Sequence, residues 1–309
     1  MPLISIVTPC YNEEENVEPL SLAIKSIMEK HPIYEYEHIY IDNASSDGTI
    51  GILRQLAAQD PHVKVILNNR NFGPIRSSYF GLLQGNGDAT IILAADFQDP
   101  PELISIFIEQ WESGKKVVMG VKNESEETPI FYFFRTIYYR VLRALSETDL
   151  IEHATGFGLY DQEVIKLLRS LDDPYPYFRG LIAELGHERA TVTYNQPKRK
   201  RGISKNNFYT LYDMAMLGLT SYTRIPLRVA TWIGAIFGFI SFLVGLIYLV
   251  YKLLDWRNFS LGLAPLVVGM FFLGSVQLFF LGILGEYIGA ILTQIQRRPL
   301  VVVKERINF

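Results

Sequence analysis

At 309 residues the chain is long enough for two domains. Its net charge of -3 lacks the basic footprint of a nucleic-acid binder, and its single cysteine, Cys10, excludes an intrachain disulfide and a thiolate metal cluster. Hydrophobic residues reach 49% beside 20% charged ones, and the excess is concentrated in the last third.

Residues 1–9 have no basic start and too short an apolar run for a cleavable signal peptide, so the N-terminal domain is expected in the cytoplasm. Leu3 to Thr8 reads as a β-strand ending at Pro9. A polar loop, Cys10 to Glu15, leads into a helix with Leu20, Ala23, Ile24 and Ile27 on one face. The loop has no glycine, so it is neither a dinucleotide fingerprint nor a phosphate loop. A nucleotide bound here would be gripped by side chains and backbone at the strand tip. Cys10 itself reads as a packed small residue.

Tyr36 to Ile41 is the second strand, running into Asp42 to Thr49 and then a helix with Ile50, Leu53, Leu56 and Ala57 on one face. Asp42 either accepts hydrogen bonds from a ribose hydroxyl or base N–H, or acts as an Asx-turn acceptor. Asp47-Gly48 reads as turn chemistry. Val63 to Leu67 is a third strand, followed by Asn71-Phe72-Gly73 and a helix from Ile75 to Gln84.

The fourth strand, Ala89 to Ala95, is apolar and reads as buried. It runs into Asp96-Phe97-Gln98-Asp99-Pro100-Pro101-Glu102 and a helix to Trp111. An acid and an amide thus sit at a strand end, where open α/β sheets bind ligands. Oxygen ligands of this kind suit Mg²⁺ or Mn²⁺ holding a diphosphate. Equally, Asp96 and Gln98 organise the turn and Asp99 caps the next helix. A fifth strand spans Lys116 to Val121. The alternation of strand and helix argues a parallel sheet covered on both faces.

Ile130 to Leu145 is a basic amphipathic stretch with aromatics, expected to lie in a membrane interface. Thr155 to Tyr160 and Glu188 to Tyr194 read as further strands, with two short helices between them. Lys198 to Lys205 is a basic, glycine-containing loop that reads as a phosphate clamp and equally as a cytoplasmic positive patch beside a membrane, two compatible roles. Phe208 to Leu219 reads as a second interfacial helix.

Val229 to Tyr251 and Leu261 to Gly285 carry no charge, and each is long enough to span a bilayer core. Arg224 and Arg228 precede the pair, and Arg297, Arg298, Lys304 and Arg306 follow it. The positive-inside bias therefore puts both termini in the cytoplasm. Glycines in both spans, and Gln277, allow close helix contact, and a homo-oligomer such as a tetramer is the expected assembly. The expected division is residues 1–205 as the N-terminal α/β domain, 206–228 as interfacial helix and linker, 229–295 as a transmembrane hairpin and 296–309 as a cytoplasmic tail.

The motifs Val7-Thr8-Pro9-Cys10-Tyr11-Asn12-Glu13, Ile41 through Asp42 to Thr49, Asn71-Phe72-Gly73, Ala95 through Asp96 to Glu102, Thr155-Gly156-Phe157, and Arg199 through Gly202 to Ser204-Lys205 occur in one chain with two C-terminal spans. In this the chain resembles the polyisoprenyl-phosphate glycosyltransferases of glycosyltransferase family 2. That group includes dolichol-phosphate mannose synthases and bacterial bactoprenol glucosyltransferases, and the two-span hairpin looks most like the bacterial branch.

The resemblance implies a GT-A-like, Rossmann-type nucleotide-sugar domain with a mostly parallel sheet. It implies donor binding by Thr8, Pro9, Tyr11, Asn12, Glu13 and Asp42, and Mg²⁺ or Mn²⁺ at Asp96 and Gln98. Lys122 and Arg135 would meet the lipid phosphate. Arg199, Ser204 and Lys205 would sit on a loop closing over the donor diphosphate. The implied reaction is inverting transfer of a hexose to polyisoprenyl (undecaprenyl) phosphate at the cytoplasmic face of the plasma (inner) membrane. Glucose from UDP-glucose is the first expectation, with GDP-mannose and other UDP-sugars behind it. An anionic phosphate acceptor requires no strong general base.

Two positions depart from the family pattern. Where relatives show Asp-x-Asp, this chain has Ala94-Ala95-Asp96, so the first acid is missing. Lys122 is often arginine in relatives, and lysine lacks bidentate phosphate contact. The rival readings are a processive polymerase, which would need more spans, and an impaired transferase-like membrane scaffold.

Overall fold

The computed structural model describes residues 1–123, 154–197, 208–254 and 263–309. The first half alternates strand and helix: β1 (Leu3–Cys10), α1 (Val17–Met28), β2 (Glu35–Asp42), α2 (Thr49–Gln59), β3 (Val63–Asn68), α3 (Pro74–Leu82), β4 (Ala89–Ile92), α4 (Leu103–Glu112) and β5 (Val117–Lys122). Then come β6 (Ala154–Asp161), α5 (Gln162–Leu171), α6 (Phe178–Glu184) and β7 (Arg189–Tyr194). The chain closes with α7 (Phe208–Tyr222), α8 (Ile225–Leu254), α9 (Leu263–Gln296) and β8 (Val303–Ile307).

The eight strands form one sheet in the order β7-β5-β6-β4-β1-β2-β3-β8. β1 lies in the middle, parallel to β2 and β4, and β2 is parallel to β3. Period-2 alternation explains the two cores. Ile4, Ile6, Tyr40 and Val65 face a layer that includes Leu20 and Ile24 of α1, Leu53 of α2 and Phe107 of α4. Val7, Ile39, Ile41 and Ile66 face the other side, with Phe80 of α3. Both faces are covered, so the central strands are largely apolar, and the polar side chains they do bury are paired, Ser5 with Glu37 and Thr8 with His38.

The sheet is less uniformly parallel than the sequence suggested. β6 runs antiparallel between β4 and β5, β7 is parallel to β5, and β8 is antiparallel to β3. The stretch expected as a tail therefore carries an edge strand. Arg54 pairs with Glu305 at 2.5 Å, Arg306 donates to Gln84 at 2.8 Å, and Asn308 Nδ2 donates to the carbonyls of Ala57 and Val63.

β4 is shorter than expected, ending at Ile92. Leu93 N still donates to the Val7 carbonyl at 3.1 Å, but Ala94 N donates to the Asp99 carboxylate at 3.2 Å, which takes that residue out of the ladder. Asp99 is thus turned back to the strand end, and the N-cap position of α4 falls to Glu102.

The first long helix, from Ile225 to Leu254, outlasts its charge-free stretch at both ends, and the second, from Leu263 to Gln296, outlasts its own at the C-terminal end. Their most apolar windows contain no buried residue, and Trp232 and Leu278 are each 71% exposed. A contiguous apolar surface of this kind marks contact with a membrane or partner. Tyr287 of α9 donates to the Thr223 carbonyl at 2.7 Å, at the corner between α7 and α8. Gln294 donates to Asp173 at 2.9 Å, linking the end of α9 to the sheet domain.

Candidate functional site

The carboxyl ends of β1, β2 and β4 meet at one edge of the sheet. The register places Cys10 beside Asp42 across β1 and β2. The loops that follow are latched together. Asn12, at φ +53°, donates from its backbone to Ser45 Oγ and accepts from Ser46 N, each at 2.8 Å. Glu13 N donates to Thr49 Oγ1 at 2.9 Å, and Gly48 N donates to Glu14 Oε2 at 2.7 Å. Glu13 Oε2 accepts from Asn16 at 2.6 Å. Pro9, Tyr11, Asn12 and Glu13 are all half-buried along this rim. Asp47 does serve turn chemistry, accepting from Thr49 N at 3.0 Å.

Asp42 is fully buried and accepts from Ser45 N at 3.0 Å through Oδ2, the Asx-turn arrangement. Burial raises its pKa, opposed by its bonds to Ser45 and Ala44. The Thr8 hydroxyl is also turned into the core, 2.9 Å from His38 Nε2. Cys10 is a packed residue, its Sγ facing the Ile41 carbonyl, and burial followed by the charges of Asp42, Glu13 and Asp47 pushes its thiol up.

At the end of β4, Asp96 is half-buried and accepts from Gln98 N at 3.1 Å, with Phe97 between them at φ +58°. Asp99 is buried. Tyr194 donates to its Oδ1 at 2.8 Å and Ala94 N to its Oδ2. Burial raises its carboxyl, while the Tyr194 bond and then the Lys122 charge pull it down. Lys122 ends β5 opposite Tyr194, the last residue of β7. The fold thus brings Asp96, Gln98 and Lys122 to one place and adds Asp99 and Tyr194, which sequence reasoning had not placed there. Arg135, Arg199, Ser204 and Lys205, with the amphipathic stretch and the basic loop that carry them, lie outside the described residues.

Among the described residues no group of three His, Cys, Asp or Glu side chains converges as a metal cage. Ala94 presents a methyl where a second carboxylate would stand. Asp96 and Gln98 still fit a hard cation of the kind held by one or two carboxylates and completed by substrate phosphates and water.

The family model for glycosyl transferase family 2 matches residues 5–168, and that for the GtrB C-terminal hairpin matches residues 225–291. The chain is 34% identical over 303 residues to the bactoprenol glucosyl transferase of Shigella phage SfII, covering 98% of this chain and 97% of that protein. It is 34% identical over 302 residues to the bactoprenol glucosyl transferase of Shigella phage SfV, covering 97% and 98%. A prophage bactoprenol glucosyl transferase homolog of Escherichia coli is 30% identical over 302 residues, with the same coverage of 97% and 98%.

Proposed function

The chain belongs to glycosyl transferase family 2, and on that premise we propose that it transfers a hexose from a nucleotide-sugar to a polyisoprenyl phosphate at a membrane surface. Glucose from UDP-glucose is the leading donor, and the transfer is inverting. The observation that carries this reading is the union, in one chain, of a family 2 strand-tip site with an uncovered two-helix hairpin, along nearly the full length of bactoprenol glucosyl transferases.

The donor lies across the tips of β1, β2 and β4. Pro9, Tyr11, Asn12 and Glu13 border it, and Asp42 holds the β2 turn in shape beneath. Asp96 and Gln98 would hold Mg²⁺ or Mn²⁺, which when bound supplies positive charge at the donor diphosphate. Lys122 stands on the acceptor side, and Arg135 is assigned there with it. Arg199, Ser204 and Lys205 are assigned to the diphosphate. A phosphate monoester is anionic near neutral pH and attacks without a strong base, so catalysis rests on positioning and charge. Single displacement turns an α-linked donor into a β-linked product.

Two spans with both ends on the catalytic side form the proposed topology in the plasma (inner) membrane. Support comes from β8, which follows α9 and pairs with β3 of the catalytic sheet. A homo-oligomer, a tetramer in the first instance, completes the reading. Ala94 favours one alternative, an impaired transferase kept as a membrane scaffold.

The test is sugar transfer to undecaprenyl phosphate by the detergent-purified protein, using labelled UDP-glucose, UDP-galactose and GDP-mannose, with and without Mn²⁺ or Mg²⁺. Metal-dependent transfer from one donor, lost in Asp96→Asn, is expected. Transfer by Ala94→Asp alone would make this chain an impaired form. No transfer by either protein would refute the enzymatic reading.

A further inference from the structure

A cavity of about 250 Å³ adjoins the strand tips. Pro9, Ala94 and Asp99 at the strand tips line it, together with Tyr177, Arg179 and Leu217. Its lining is mostly apolar. Tyr177 is buried and packs with Leu217 and Leu219 of α7. The Arg179 guanidinium lies 5.6 Å from the centre of the Tyr177 ring. Helix α7 ends three residues before α8, where the first apolar span begins. The cavity therefore bridges the donor edge of the sheet and the helix that leads into the hairpin.

A larger crevice shares Tyr177 and Leu217 with it, but there the walls carry Asp173, Glu184, Asp213 and Glu286. Four carboxylates repel a phosphate. The smaller cavity instead has one guanidinium, Arg179, and a single carboxylate, Asp99, which is buried and already bonded to Tyr194 and Ala94 N, in a mostly apolar lining. That combination matches a phosphate monoester on a hydrocarbon chain, because a guanidinium pairs with phosphate in bidentate fashion.

We propose that this cavity receives the phosphate end of the acceptor lipid, with Arg179 on the phosphate and Tyr177 and Leu217 against the first isoprenyl carbons. The proposal rests on the transferase reading above and deepens it. Pro9 and Ala94 are shared with the donor edge, so a phosphate held by Arg179 abuts the bound sugar. The approach is from α7, at the height of the hairpin's start.

The experiment uses the full chain in lipid nanodiscs, as wild type, Arg179→Ala and Arg179→Lys. It reads the KM for undecaprenyl phosphate, the affinity for UDP or GDP, whichever binds, and lipid binding by native mass spectrometry with undecaprenyl phosphate, undecaprenol and inorganic phosphate as probes. Arg179→Ala is expected to raise the acceptor KM by about tenfold or more while nucleotide affinity stays unchanged, the size of a lost charge-assisted contact. Arg179→Lys is expected to recover part of the loss. Wild type should favour the phosphorylated lipid over both the alcohol and inorganic phosphate, and Arg179→Ala should lose that preference. An unchanged acceptor KM, or a loss of nucleotide affinity in place of lipid affinity, would overturn the proposal. A wild type that binds the lipid through Arg179 but transfers no sugar keeps the cavity and sinks the transferase reading. A wild type that transfers sugar with an acceptor KM indifferent to Arg179 does the reverse.

Discussion

His38 lies in the middle of the sheet, fully buried in β2 with Nε2 against the Thr8 hydroxyl. Burial pushes its pKa from 6.5 down to about 3. The ring is therefore neutral in the fold, whereas in the unfolded chain it takes a proton below about pH 6.5. The unfolded state then binds more protons, so this contribution to stability is complete above pH 6.5 and is lost as pH falls towards 3. At pH 5 the loss is about 2 kcal/mol, from about 1.5 pH units at about 1.36 kcal/mol each. Because pH 5 is well above the folded value, the unfolded pKa alone sets this figure. For a catalytic unit of this size it corresponds to a fall in Tm of about 4–8 °C. The assay is thermal unfolding of the full chain at pH 7.5 and pH 5.0, as wild type and His38→Gln, since glutamine bonds to Thr8 without titrating. Asp42 and Asp99, both raised by burial, titrate with the opposite sign, losing stability as pH rises above 3.8, but they are common to both proteins and cancel in the difference. Wild type should lose about 4–8 °C more than the variant on acidification. Parallel losses would refute the reasoning, because they would mean that His38 is not held neutral.

Tyr194→Phe removes the hydroxyl that donates to buried Asp99. It should cost about 1–3 kcal/mol, read as a Tm drop of several degrees, and an unchanged Tm would show that the carboxyl finds another donor. Cys10 is buried, with its thiol raised by burial and by nearby carboxylates. A maleimide at pH 7.5 should leave it unmodified in the native protein and label it fully in denaturant, measured by intact mass. Rapid native labelling would place the β1 tip open to solvent.

The first four strands and their helices were legible because the buried runs are largely apolar and each amphipathic face repeats at helical spacing. Strand periodicity carries no direction, so the antiparallel placement of β6 was not legible from Ala154 to Asp161 alone. Nor was the partner of β8 readable: Leu67 meets Glu305 across a sequence separation that no local signal spans. At the site, parity along β1 held information that the motif reading passed over. Thr8 shares a face with Ile4, Ile6 and Cys10, all of which are core residues, so its hydroxyl had to find a buried partner. The reading of Asp99 as a helix cap missed because Pro100 and Pro101 intervene before α4, leaving the carboxylate to the β4 end. Tyr194 gave no signal beyond ending an alternating strand. Its role depends on β7 lying beside β5, which is a tertiary fact.

The pairing of β8 with β3 has a consequence for how the protein is made. Synthesis runs from the N-terminus, so the sheet domain emerges while the outer edge of β3 still has its hydrogen-bonding groups unpaired. That edge closes only after α8 and α9 have been translated, because β8 follows both. A nascent chain whose hairpin has not found its apolar surroundings is thus left with an adhesive strand edge, and one whose hairpin has settled acquires its final strand soon afterwards. Completion of the sheet then reports on the fate of the hairpin, and a truncated or misinserted product is marked by an open β3.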